Sequence, residues 1–290
     1  MELRVLKYFL TVVEEKNISR AADVLHITQP TLSRQMAQLE AELGTTLFTR
    51  GRSLTLTDAG IMLRRRAEEV VALMDKIEDE LTKGEELAGE ISIGCGGLAS
   101  FRELAAVMVD FRKLYPKVSF RLYANSAEYV REELEAGVLD FGLLLEPVDV
   151  AKFDYIRMRT KERWGLLVCA SHPLAKKDHI ESHDLIGETI AVSKRTQVRS
   201  ELESWLKFPF SRLDVLATHN LITNSVMLVE SGALCALTLE GAVDLYSSDK
   251  VVFKPLHPEL PMTSVFAWKK LHTGLGAAGR FLEYFASRYR

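Results

Sequence analysis

Residues 19–44, SRAADVLHITQPTLSRQMAQLEAELG, decide how the rest of the chain is read. The second half of this stretch predicts a short helix, because Thr28 is a capping residue and Pro30 falls in the first turn, where a missing backbone N–H costs nothing. Leu32, Met36, Leu39 and Leu43 recur at steps of four, three and four and form one apolar stripe. Gln29, Thr31, Ser33, Arg34, Ala37 and Gln38 fall off that stripe and make a polar face with little charge. Such a face suits a DNA groove: Gln pairs bidentately with adenine, Arg with guanine, and Thr offers a methyl to thymine. Ser19 predicts the cap of a preceding helix over residues 20–25, in which Ala21 and Ala22 are small enough for a second helix to cross closely. The result is helix, three-residue turn, helix. An ordinary helical hairpin in a core gives the same pattern, since caps and stripes are generic.

The flanks separate the two readings. Leu3, Leu6, Phe9, Leu10 and Val13 predict an amphipathic helix before the pair, and LFTRGRSLTLTDAG (47–60) follows it, with Arg50, Gly51 and Arg52 at the tip of a two-stranded wing. From Asp58 the chain reads as one long helix to about Lys83, with Thr57 as cap and Gly84 as stop. Leu63, Ala67, Val70, Met74, Ile77 and Leu81 carry the four-three spacing of a coiled-coil seam, so this helix is expected to find a partner helix rather than its own domain. LTKGEELAGE (81–90) is a boundary, and beyond it strands alternate with helices, the mark of parallel sheets. Strands are expected near 90–95, 118–124, 140–145, 164–170, 189–192, 213–218, 233–237 and 263–268, and helices near 100–114, 126–136, 198–207, 223–231 and 275–288.

Composition agrees. At 290 residues and 47% apolar content the chain suits about two packed domains. The net charge of −3 hides an asymmetry: residues 1–66 hold ten Lys/Arg against seven Asp/Glu, a balance of +3 that leaves −6 for the remainder. The sign suits a DNA-binding head, although charge alone would not identify one. Charges interrupt every apolar run in MELRVLKYFLTVVEEK, so neither a signal peptide nor a membrane span is expected, and the location expected is cytoplasmic. Cys95, Cys169 and Cys235 are odd in number and widely spaced, which reads as free thiols rather than as a disulfide framework or zinc cluster.

Hydrolase, phosphate-transfer and zinc-protease chemistry have no starting point here: Gly-x-Ser-x-Gly, Walker and His-Glu-x-x-His motifs are absent. GCGGLA (94–99) fits Gly-x-Gly-x-x-Ala superficially, but the next strand ends in Ala124-Asn125 with no acidic residue for a ribose, so no nucleotide cofactor is expected. Free amides at that helix start would instead attract a carboxylate. His172, His179 and His183 lie in a charged, loop-like segment without tight ligand pairs, so no metal is expected either.

Phe9, Ala21-Ala22, Leu25, Thr28-Gln29-Pro30, Ser33-Arg34, Leu39-Glu40, Leu43-Gly44, Leu47-Phe48, Arg50, Leu56-Thr57 and Ala59-Gly60, in that order, resemble the winged helix-turn-helix of LysR-type transcriptional regulators. The resemblance is dense over residues 2–62 and looser beyond. It implies a mixed α/β protein: a winged helix-turn-helix at 1–57, a linker and dimerisation helix at 58–87, and an effector-binding domain at 88–290 like a periplasmic binding protein. That domain would have lobe I at 90–160 with 265–290 and lobe II at 161–264. DNA contacts are then expected from Ser19, Arg20, Thr28, Gln29, Pro30, Thr31, Ser33, Arg34, Gln38, Arg50 and Arg52. A small effector of unknown identity would meet Gly97, Leu98, Ser100, Asn125, Ser126, Glu146, Ser193, Thr223 and Asn224. The partners implied are double-stranded DNA, that effector and further copies of the chain, as homodimer or homotetramer, with no membrane. The competing reading is a binding protein or enzyme whose α/β half does the work while the N-terminal helices only dimerise.

Overall fold

The structure, a computed structural model, describes residues 1–49, 54–81, 87–194, 196–244, 246, 249–270 and 276–289. It divides into two compact units, Met1–Thr82 and Lys83–Arg290.

The first unit is built from α1 (Leu3–Glu15), α2 (Ile18–Val24), α3 (Gln29–Leu43), the strand pair β1 (Phe48–Thr49) and β2 (Thr55–Leu56), and α4 (Asp58–Leu81). Its core joins Val5, Leu6, Phe9 and Val12 to Ala21, Ala22, Leu32, Met36, Leu39, Leu47 and Ala67. The stripe of α1 is therefore turned from the one expected: Leu3, Leu10 and Val13 flank a centre formed by Val5, Phe9 and Val12. Asn17, not Ser19, caps α2, its Oδ1 accepting the Ser19 and Arg20 amides at 2.9 and 3.1 Å. Both residues are good caps, and the one that precedes the first apolar residue, Ile18, takes the role. Thr28 caps α3 as expected, and Gly44 ends it at φ 66°. Leu43, the last residue of the helix, is 40% exposed and leaves the stripe.

The wing is tied to α3 by Glu40, whose carboxylate accepts the Leu47 and Phe48 amides at 2.7 and 3.2 Å. Thr57 caps α4 by accepting the Gly60 amide at 3.0 Å and donates to Thr46 O at 2.7 Å. Gly60 is required there, because a Cβ would stand 2.2 Å from Leu47 O.

The second unit contains β3 (Ala88–Cys95), α5 (Phe101–Leu114), β4 (Lys117–Ala124), α6 (Ala127–Ala136), β5 (Phe141–Leu145), β6 (Phe153–Arg157) and β7 (Glu162–Cys169). There follow β8 (Thr189–Ser193), α7 (Thr196–Leu206), β9 (Asp214–His219), α8 (Thr223–Glu230), β10 (Cys235–Leu239), α9 (Glu240–Val243), β11 (Val251–Pro255), β12 (Pro261–Met262), β13 (Ser264–Lys269) and α10 (Gly276–Tyr289). One sheet runs β4-β3-β5-β13-β6 and the other β11-β7-β10-β8-β9. The chain passes between them twice, from β6 into β7 and from β12 into β13. At the crossing β12 pairs with the start of β7, Pro261 against Arg163 and Met262 against Glu162. β3 with β4 and β5, and β8 with β9 and β10, are parallel, the arrangement that places ligand clefts at the carboxyl ends of strands. Phe281 and Phe285 of α10 pack on Phe266, the latter at 4.4 Å between ring centres. β6, β11 and β12 were not expected from the sequence. β6 is an edge strand and every position of β11 is half-buried, so neither shows the alternation of a two-faced strand.

Candidate functional site

In the first unit, α3 presents Gln29, Pro30, Thr31, Arg34, Ala37 and Gln38 to solvent, with Ser33 half-buried beside them. Thr28 and Thr31 hydroxyls bond at 2.8 Å, and Gln29 Nε2 donates to Ser33 Oγ at 2.9 Å, so the first turn is braced by its own polar side chains. Ser19, released from capping, is exposed on the first turn of α2. Arg20 reaches back to donate to Glu15 O at 3.0 Å. The turn, the helix start and the polar face thus lie together as the sequence places them. Arg50 and Arg52 lie outside the described residues.

The seam of α4 divides. Ala67 is fully buried and Leu63 partly so, both in the core of the first unit, where α1 crosses α4. Beyond that crossing Val70 and Ile77 are 45% and 39% exposed, Leu73 is exposed with them, and Met74 is half-buried. The expectation that all six seam residues face a partner helix is therefore corrected for the first two, because the helix first has to complete its own domain. The Leu81 side chain lies outside the described residues.

In the second unit a cavity of about 800 Å3 opens at the carboxyl ends of β3, β4, β8 and β10. Its walls are largely apolar: Leu98, Phe101, Leu122, Leu143, Leu145, Trp164, Leu221, Leu239 and Tyr246. Polar groups enter at the strand-to-helix turns, Asn125 and Ser126 on one side and Ser193, Lys194, His219 and Thr223 on the other. Of the nine positions expected for an effector, Gly97, Leu98, Asn125, Ser126, Ser193 and Thr223 line it. Ser126 is also the cap of α6, accepting the Tyr129 amide at 3.4 Å, so the two roles coexist.

Ser100, Glu146 and Asn224 are not among the lining residues. Ser100 is wholly buried, its hydroxyl bonded to Ser264 Oγ at 2.7 Å. Glu146 is clamped by Arg157, at 2.9 and 3.0 Å, and by the Thr263 hydroxyl, which hold its carboxyl below the usual range. Asn224 faces solvent, and its neighbour Ser225 turns inward to His219 Nδ1 at 3.3 Å.

The amides expected to attract a carboxylate at the start of α5 do hold one, and it is the protein's own. Glu162, fully buried at the start of β7, accepts the Ala99 and Ser100 amides at 2.9 and 3.0 Å. No sequence signal marks it, since KERWGLLV reads as a charged edge before an apolar strand. Two glycines of this stretch have packing roles instead: a Cβ on Gly94 would press Leu139 and Val130 at 2.6 and 2.8 Å, and one on Gly97 would meet the Ala242 backbone at 2.8 Å, whereas Gly96, the second glycine of the nucleotide-like motif, has only Asn125 O at 3.7 Å. Burial pushes the His219 imidazole down to about 4, so it is neutral in the cavity wall at ordinary pH. Burial likewise pushes the Cys95 thiol up to about 11, which suits an inert core thiol.

Comparison with known proteins accounts for both units. Residues 3–61 match the Bacterial regulatory helix-turn-helix protein, lysR family, and residues 84–290 match the LysR substrate binding domain. The HTH-type transcriptional regulator YtlI of Bacillus subtilis (strain 168) is 32% identical over 208 residues, 71% of this chain and 67% of that one. The Hca operon transcriptional activator HcaR of Escherichia coli (strain K12) is 28% identical over 278 residues, 93% of this chain and 92% of its own. In fold, the chain is similar to the crystal structure of CbnR, a LysR family transcriptional regulator, at a TM-score of 0.76 and 22% identity over 100% of both chains. CbnR complexed with its target DNA gives 0.74. A helix-turn-helix head and a two-sheet substrate-binding domain, each matched along its length, make this chain a member of the LysR family of transcriptional regulators.

Proposed function

We propose that this regulator reads double-stranded DNA through α3, with Gln29, Thr31, Ser33, Arg34 and Gln38 toward base edges and Thr28, Pro30, Ser19 and Arg20 toward the backbone. Arg50 and Arg52 of the wing complete the contact, against phosphates or in a minor groove. The observation that carries this is the capped, braced start of α3 with an exposed polar face and almost no charge, a surface suited to reading bases more than to holding phosphates alone. CbnR, similar in fold, has been solved on its target DNA.

The domains follow as 1–57 for the head, 58–87 for the linker and 88–290 for the effector-binding part. Val70, Leu73 and Ile77 form the exposed edge through which α4 would pair with a second copy, giving a dimer or dimer of dimers on a two-fold site. A small effector in the 800 Å3 cavity favours one closure of the two sheets and so shifts the population of DNA-binding states. The chain carries no described helix long and apolar enough to cross a membrane, and we place its action in the cytoplasm, where the DNA is.

Fluorescence anisotropy against the DNA upstream of its own coding region, beside scrambled DNA and at two salt concentrations, tests this reading. The expected preference is about 1000-fold or more. Arg34→Ala is expected to cost about 1–3 kcal/mol and to relax preference at one base position. Equal binding to both DNAs, with Arg34→Ala indistinguishable from the parent protein, would remove the reading head from α3.

A further inference from the structure

Away from the cavity, at the amino ends of β8 and β10, three side chains meet that neither DNA nor effector binding uses. Cys235 opens β10 and lies beside Ile190 of the parallel strand β8, so Glu188, two residues before Ile190, falls on the same face. After β7 the chain turns, the His172 amide donating to Cys169 O at 2.9 Å, and brings the His172 ring over that spot. His172 Nε2 lies 3.2 Å from Glu188 Oε2 and 3.9 Å from Cys235 Sγ, and the three ligand atoms fall within 4.8 Å of one another. A tetrahedral Zn2+ with bonds of about 2.0–2.3 Å holds its nitrogen, oxygen and sulfur ligands roughly 3.3–3.8 Å apart, so the two distances from His172 already lie near this spacing and Glu188 and Cys235 need only close on each other within the 4.8 Å limit. Cys235 is buried while His172 and Glu188 are partly exposed, which leaves room for water as a fourth ligand.

We propose that His172, Glu188 and Cys235 form a binding site for a divalent transition-metal ion of the Zn2+ class, separate from the effector cavity. The thiolate and the carboxylate together balance the charge of the ion. Without metal, His172 Nδ1 accepts the Leu174 amide at 3.3 Å, so the ring proton sits on Nε2 facing Glu188. Coordination through Nε2 transfers that proton to Nδ1, gives up the long bond from Leu174 and releases the Cys235 thiol proton to solvent. The site departs from the expectation of no metal, because the partners of His172 come from later strands. The other two histidines of the segment turn elsewhere, His179 packing at a tilt on His257 with 4.6 Å between ring centres and His183 lying 3.2 Å from Glu181.

The test uses full-length, untagged protein, stripped of metal, kept reduced with a non-thiol reductant, and titrated with Co2+ and then Zn2+. One Co2+ per chain is expected, with a near-ultraviolet thiolate-to-cobalt charge-transfer band that Zn2+ displaces. Cys235→Ser is expected to abolish the band, Glu188→Gln to weaken binding at least about tenfold, and Cys169→Ser to change neither. Amide exchange at Leu174 is expected to quicken on loading, which a merely adventitious surface ion would not cause. Absence of the band in the parent protein overturns the proposal. So does a band that survives Cys235→Ser and is lost in Cys169→Ser. Cys235→Ala serves as the second variant if the serine form folds poorly, its melting curve recorded alongside.

Discussion

The two sides of the effector cavity are built alike and finished differently. On the side of the first sheet, both helix starts are satisfied by the chain itself: Glu162 takes the amides of α5, and Ser126 takes one of α6. On the side of the second sheet, α8 begins after Ile222 without any side-chain cap, beside Lys194 and the neutral His219. The first side is therefore pre-ordered, and its polar groups are occupied. The second keeps uncommitted backbone donors and a cation near the rim, which is where a polar effector group would gain most.

The largest expected effect falls at Glu162. Glu162→Ala leaves the Ala99 and Ser100 amides without their acceptor, and urea unfolding of the full-length chain, followed by tryptophan fluorescence, is expected to show a loss of about 2–5 kcal/mol. A loss under 1 kcal/mol would show that the first side is not held by its own carboxylate.

His219 comes next. Its imidazole is held down to about 4 when folded, against an ordinary value near 6.5, so the unfolded chain binds the extra proton between those pH values. Stability is therefore whole above about pH 6.5 and falls as the pH drops toward 4, by up to about 3 kcal/mol. In His219→Gln the slope over that window should flatten, measured as the pH dependence of the unfolding midpoint. The smallest effects sharpen the contrast directly. Ser126→Ala is expected to cost about 1 kcal/mol as a lost cap, whereas Thr223→Ala, at a helix start with no side-chain cap, should stay within about 0.5 kcal/mol. Equal costs would erase the difference between the two sides.

Much of this was legible because it is local. Thr28, Pro30, Thr57 and the spacing of Leu32, Met36 and Leu39 announce helices that the structure contains, and the turns after β3, β4, β8 and β9 are placed closely enough to find six lining residues. Local ambiguity explains the near misses: Asn17 and Ser19 are both capping residues, and Asn224 stands one position from Ser225, which turns inward. Ser100 and Glu146 sit at the right turns but their side chains are captured by Ser264 and Thr263, far along the chain, and by Arg157 on the next strand. Glu162 was illegible for the same reason, since a buried carboxylate is recognised by what it binds 62 and 63 residues away. The long seam of α4 misled because a four-three repeat does not say which part of a helix its own domain has already claimed.

Glu40 has a mechanical consequence. Its carboxylate, at the far end of α3, holds the first two amides of the wing, while Thr57 bonds to the segment entering the wing and to the start of α4. Among the described residues, α3, the two strands of the wing and the start of α4 are thereby fastened into one piece. In the dimer proposed above, control of transcription then becomes a matter of surveying distance, setting how far apart and at what tilt whole heads are held along the duplex.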